Sequence, residues 1–198
     1  ISAMSFGSLS ARAIEALNKG AAIGGFAHDT GEGGISRYHR KHGGHLIWEI
    51  GSGYFGCRAP DGSFDPERFA ETAACDQVKM IEVKLSQGAK PGKGGILPGA
   101  KVTPEIAAIR GIPAGRDSIS PNRHLEIESI GDLLDFIDRV RTLTGKPTGF
   151  KTVVASFEWL DELCREVLRR GIESAPDFIT LDSGDGGTGA APMALIDN

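Results

Sequence analysis

Met80-Ile81-Glu82-Val83-Lys84-Leu85 runs, through Ser86 and Gln87, into Gly88-Ala89-Lys90-Pro91-Gly92-Lys93-Gly94-Gly95-Ile96-Leu97-Pro98-Gly99, and the fold reading turns on this stretch. The apolar run reads as a strand. Alternation puts Ile81, Val83 and Leu85 on one face and Glu82 and Lys84 on the other. From Gly88 to Lys93 every residue except Ala89 and Pro91 is glycine or lysine. Backbone without Cβ atoms can come close to a ligand. The ammonium groups of Lys90 and Lys93 can meet carboxylates or phosphates. A loop of this composition at the C-terminal end of a barrel strand is where an α/β enzyme keeps its chemistry.

Outward from this stretch, strand-like runs alternate with amphipathic helices. Strands are expected at 1–6, 25–29, 46–50, 80–85, 149–154 and 178–181. Ser10 caps a helix through Ala22 with Ile14, Leu17 and Ala21 on one face. Asp65 and Pro66 start a helix through Ala74, and Thr103-Pro104-Glu105 starts a short one ended by Gly111. Ser129 caps a long helix stopped by Gly145, and Ser156 caps another stopped by Gly171, with Leu160, Leu163, Val167 and Leu168 inward. This order predicts an α/β fold with a parallel sheet. An open doubly wound sheet satisfies it too, but the length per unit and the rich loops favour an incomplete (β/α)8 TIM barrel. About six units are visible where a full barrel has about eight. The last two strands are expected beyond this stretch, which begins in a strand-like run without Met and reads as an internal piece of a longer protein.

Bulk properties narrow the function. The 198 residues suffice for one domain with a proper core. A net charge of -4 gives no case for nucleic acid or an anionic membrane. The 28 glycines are about twice the usual share and cluster after apolar runs, as ligand-cradling turns do. Three scattered cysteines without a CxxC pair fit a reducing compartment, so a cytoplasmic location is expected, with any anchor left to sequence outside this stretch. Gly88 to Lys93 is one residue short of a nucleotide P-loop, and Gly94 stands where a magnesium-binding Ser or Thr belongs. His39, His42 and His45 have tempting spacing, but Arg40 and Lys41 would repel a cation, so no metal site is expected. Asp132, Asp135 and Asp138 read as a solvated helix face.

Four motifs carry a resemblance. They are Ile1-Ser2-Ala3-Met4-Ser5-Phe6-Gly7-Ser8-Leu9-Ser10, Thr30-Gly31-Glu32-Gly33-Gly34, the run from Lys84 to Gly95, and Asp185-Gly186-Gly187-Thr188-Gly189-Ala190. Together, and in this order, they resemble the FMN-binding synthase domain of glutamate synthases across nearly the whole chain. The resemblance implies a partial FMN-binding barrel domain over residues 1–198 that reduces 2-iminoglutarate, formed from 2-oxoglutarate and ammonia, to L-glutamate. It implies flavin contacts at Ala3, Met4, Ser5, Gln87, Lys151, Gly186 and Gly187. It implies substrate-binding and catalytic roles for Lys84 and Lys90, a substrate-binding role for Arg110 and a catalytic acidic position at Glu32. An electron donor is implied without being specified, and a homo-oligomer is left open. The family's iron–sulfur cysteines are absent here, so a cluster is expected only through a C-terminal part outside this stretch. Lys93 and Asn122-Arg123-His124 depart from the large glutamate synthases and look more like stand-alone, single-domain relatives. Two alternatives stay open: a flavin barrel for another amino or oxo acid, such as an N-methylglutamate synthase-like subunit, or a non-catalytic binding subunit.

Overall fold

The computed structural model of the protein describes residues 1–184 and 192–193. Its strands are β1 (His28–Asp29), β2 (Leu46–Ile50), β3 (Val78–Lys84), β4 (Ile96–Leu97), β5 (Ser118–Ile119), β6 (Thr148–Thr152) and β7 (Ile179–Leu181). Strands β1, β2, β3, β6 and β7 pair in that order, all parallel, in a curled sheet that forms a half-barrel. This is the architecture of an incomplete TIM barrel. Its helices are α1 (Ala11–Gly24), α2 (Arg37–Arg40), α3 (Pro66–Ala73), α4 (Pro104–Arg110), α5 (Ile130–Thr144) and α6 (Phe157–Arg170). Between β3 and α5 the chain makes a long excursion that holds α4 and a small antiparallel ribbon of β4 and β5.

The helices begin and end where local chemistry dictates. Ser10, Thr103, Ser129 and Ser156 each accept a backbone N–H of the first turn, and Asp65 accepts two. Gly25, Gly111 and Gly145 close α1, α4 and α5 in the left-handed conformation that glycine adopts without strain. Asp132 does more than face water, because its carboxylate returns to the Ser129 N–H and completes a capping box. Leu168 is not inward but 80% exposed. At 3.6 residues per turn it lies well round the helix from buried Leu163.

Alternation along the strands sorts the sheet into two faces. Leu46, Trp48, Ile50, Val78, Ile81, Val83 and Phe150 face outward and pack on Phe69 of α3, on Leu133, Leu134, Ile137 and Val140 of α5, and on Leu163 of α6. Burying each of these large side chains is worth about 1.5–3 kcal/mol. Asp29, Glu49, Glu82 and Lys151 instead meet on the concave face. The first expected strand differs from the structure. Ile1–Phe6 is extended beside β1 and exchanges two backbone hydrogen bonds with Asp29, without forming a regular ladder. Among the described residues no helix is long and apolar enough to cross a membrane.

Candidate active site at the rim of the half-barrel

All five parallel strands point their C-terminal ends at one rim, and the loops that leave them carry the candidate residues. Glu32 comes from the loop after β1, Lys84 from the last position of β3, and Lys90 from the loop beyond it. Arg110 ends α4. Lys84 Nζ lies 3.1 Å from Glu32 Oε2 and donates to Gln87 Oε1 at 3.0 Å. Its carboxylate partner is therefore Glu32 rather than Glu82. Ser120 Oγ donates to the other Glu32 oxygen at 3.3 Å. A side chain on Gly95 would meet that same carboxylate, so the loop needs glycine there for close approach.

Lys90 and Arg110 are each only 4% exposed, whereas Lys93 is exposed to solvent. The two glycine-loop lysines are thus unlike: one faces inward and one faces water. Lys90 Nζ has a single long bond, 3.4 Å to the Gly94 carbonyl. Arg110 donates to Ser118 Oγ at 3.0 Å and reaches the Phe6 carbonyl at 3.5 Å, with its guanidinium over the Phe55 ring. Its buried Nε–H has no partner among the described residues. Burial pushes the Lys90 and Arg110 pKa values down, opposed by the charge of Glu32. Burial pushes Glu32 up, but Lys84 and Lys90 outweigh it and hold the carboxyl below its ordinary value. The rim therefore carries three cations against one carboxylate, with hydrogen-bond donors left over. That arrangement has the charge and donors to receive an anionic group, with Arg110 able to grip a carboxylate.

Ala3, Met4, Ser5 and Gln87 are half-buried at the same rim. The Ile1–Phe6 segment can lie close because Gly31, at φ 66°, has no side chain to strike Ser5. Gln87 uses its oxygen on Lys84, and its amide nitrogen donates to no described residue. These half-covered groups with spare donors fit a flat, acceptor-rich ring such as a flavin. Gly186 and Gly187 lie outside the described residues.

Lys151 stands beside Lys84 in the strand register but turns to different partners. It pairs closely with Glu49, and Glu82 lies 3.9 Å away. Thr180 donates to Glu82 at 2.5 Å, and Asp29 accepts from the Gly31 N–H at 2.8 Å. Burial raises Glu49 to about 7 against the pull of Lys151, and burial with the charges of Glu49 and Glu82 raises Asp29 well above its usual value. Burial lowers Lys151, but its carboxylate neighbours more than offset this and raise it. Among the described residues Asp29, Glu49 and Glu82 form the one group spaced like metal ligands, and the Lys151 ammonium already lies among them. The three histidines of the 39–45 stretch separate: His39 is buried, while His42 and His45 are exposed.

Sequence reasoning missed the polar residues that hold the two ends of the sheet. Asn18, on the buried face of α1, bonds both backbone groups of Gly44 at the N-terminal end of β2, opposite the rim. His39 and His124, both buried, hold main-chain carbonyls of the rim. The capping pair Ser36 and His39 was a local signal that could have located α2.

This geometry defines an α/β half-barrel with an anion-seeking rim at its strand ends. A profile described as the conserved region in glutamate synthase matches residues 1–198. The chain belongs to the glutamate synthase family. It is 46% identical over 197 residues to a glutamate synthase large subunit-like protein of Bacillus subtilis, covering 99% of this chain and 37% of that protein. It is 38% identical over 197 residues to the archaeal glutamate synthase [NADPH] of Archaeoglobus fulgidus, covering 100% of this chain and 35% of that protein. It is 37% identical over 198 residues to the archaeal-type glutamate synthase [NADPH] of Thermotoga maritima, covering 99% and 35%. The chain thus spans little more than a third of the length of these relatives.

Proposed function

We propose that the protein is an FMN-dependent oxidoreductase of the glutamate synthase type, and that this chain supplies the substrate rim of its barrel. The reaction is reduction of 2-iminoglutarate, formed from 2-oxoglutarate and ammonia, to L-glutamate. The observation that carries this reading is the convergence of Lys84, Lys90 and Arg110 on Glu32 at the ends of parallel strands. Bound FMN supplies the hydride. Arg110 and Lys90 hold the two carboxylates and fix the carbon that is reduced. Glu32, kept ionised by Lys84, attracts the cationic nitrogen of the imine. Hydride on the protonated, cationic imine already gives the neutral amine, and Lys84 beside that nitrogen would then supply the proton that makes the product ammonium. Ala3, Met4, Ser5 and Gln87 would hold the flavin ring, whereas Lys151 already has its charge paired with Glu49.

The full-length protein tests this directly. It is expected to show flavin absorbance after reconstitution with FMN. Its reduced flavin is expected to reoxidise anaerobically with 2-oxoglutarate plus ammonia. Absence of flavin absorbance would overturn the proposal. Reoxidation by another oxo acid alone would shift it to the related flavin barrels, for which exposed Lys93 is the specific sequence feature.

A further inference from the structure

We propose that His39 and His124 are positioning residues, each clasping the main-chain carbonyl of one rim segment and so dividing cofactor placement from substrate placement. This rests on the flavin reading above. His39 Nε2 lies 2.9 Å from the Met4 carbonyl, and His124 Nε2 lies 2.8 Å from the Lys84 carbonyl. The two rings come from different parts of the chain, one from α2 and one from the excursion before α5. Both are almost wholly buried.

Chemistry fixes the tautomer in each case. A carbonyl oxygen only accepts, so each Nε2 must carry the proton. His39 Nδ1 then accepts, and the Ser36 backbone N–H donates to it at 3.1 Å. His124 Nδ1 lies 3.0 Å from the Tyr54 oxygen, whose single proton is directed to Glu126. Burial pushes both imidazoles below their ordinary value, opposed by the carbonyl bonds. Each clasp therefore has a donor of fixed position and a second contact that stops the ring from turning.

What the clasps hold differs. Met4 belongs to the segment assigned to the flavin, and its N–H also donates to the Asp29 carbonyl at 3.2 Å. His39 and Asp29 thus hold Met4 by its carbonyl and its N–H. Lys84 belongs to the substrate group, and its carbonyl fixes where the side chain leaves β3 towards Glu32. A clasp that broke would let one segment drift while leaving the other in place.

The test uses the full-length protein with His39→Ala, His39→Gln, His124→Ala and His124→Gln. FMN affinity is read from quenching of flavin fluorescence, and 2-oxoglutarate affinity from perturbation of the flavin absorbance. His39→Ala is expected to weaken FMN binding about 10-fold and leave 2-oxoglutarate affinity of the loaded protein within about twofold, the scale of one buried hydrogen bond. His124→Ala is expected to do the reverse. The glutamine variants, whose amide N–H can replace Nε2–H, are expected to recover most of each loss. Parallel loss of both ligands in both variants, or no loss in either, would overturn the proposal. Ring-nitrogen NMR of the flavin-free protein gives a separate check: Nε2–H tautomers support the clasps, and Nδ1–H tautomers overturn them. A wild-type protein that shows these tautomers and takes up no FMN would overturn the flavin reading instead.

Discussion

Two charged groups lie within one half-barrel and are built from the same residue types in opposite proportion. At the rim, Lys84, Lys90 and Arg110 surround the single carboxylate of Glu32. On the concave face below, Asp29, Glu49 and Glu82 surround the single ammonium of Lys151. The lower group satisfies itself: Lys151 neutralises part of its negative charge, raised carboxyl pKa values allow protons to neutralise more, and Thr180 and Gly31 fill hydrogen-bonding positions. The upper group does not. Lys90 has one long bond, and Arg110 has a buried N–H without a partner among the described residues. The contrast teaches how a buried charge cluster reads as structure or as site. A cluster that completes its own hydrogen bonding supports the fold, and one left short of acceptors keeps capacity for a ligand.

The sharpest way to break the contrast is Lys151→Met. Removing the one cation from a buried acidic group should cost about 3–5 kcal/mol of stability at alkaline pH, read by urea denaturation. The loss should be smaller in acid, where the carboxyls take up protons. A silent substitution would mean the lower group is no better compensated than the rim.

Next in size is Lys90→Ala. It should weaken 2-oxoglutarate binding about 10–100-fold while FMN stays bound, as expected for a charged hydrogen bond in a dry site. Lys93→Ala, at an exposed position of the same loop, should change it by about twofold or less. Equal effects of the two would erase the distinction between inward and outward lysines.

The pH dependence of stability separates the groups further. Glu49 has a raised pKa, so the folded state holds a proton that the unfolded state gives up from about pH 4.5 to about 7. Its contribution is full below that window and is lost as pH rises through it. His28 acts in the opposite sense. Burial lowers its pKa to about 4, so stability is lost as pH falls from about 6.5 towards 4. Glu49→Gln should therefore reduce the loss of stability as pH rises, leaving the part that belongs to Asp29, as thermal melts across this range would read. A melt profile unchanged by Glu49→Gln would show that another member of the group holds the proton. The smallest expected effect is at Asp132→Ala, which should cost about 0.5–1 kcal/mol through its capping box and leave both charged groups untouched.

Much of this fold was legible because its signals are local. Ser10, Asp65, Thr103, Ser129 and Ser156 cap helices within three residues of themselves, so their positions could be read directly. The rim residues of the glycine loop were legible by composition, and resemblance supplied Glu32 and Arg110. Contacts between distant segments were not. Nothing near Lys151 announces Glu49, which lies 102 residues away along the chain, and nothing near Lys84 announces His124. The Ile1–Phe6 run has the pattern of a strand, but it meets Asp29 of β1 through two backbone hydrogen bonds without a regular ladder. Pattern shows what a segment can do, and the neighbour decides whether it does.

The excursion between β3 and α5 has a consequence for how the protein can change. Lys90, Arg110, Ser118, Ser120 and His124 all lie on this one contiguous stretch, while the sheet beneath holds its own charges without help from it. Much of the proposed substrate rim thereby sits on a cassette inserted into the frame, and exchanging that cassette would leave the frame's internal ion pairs undisturbed.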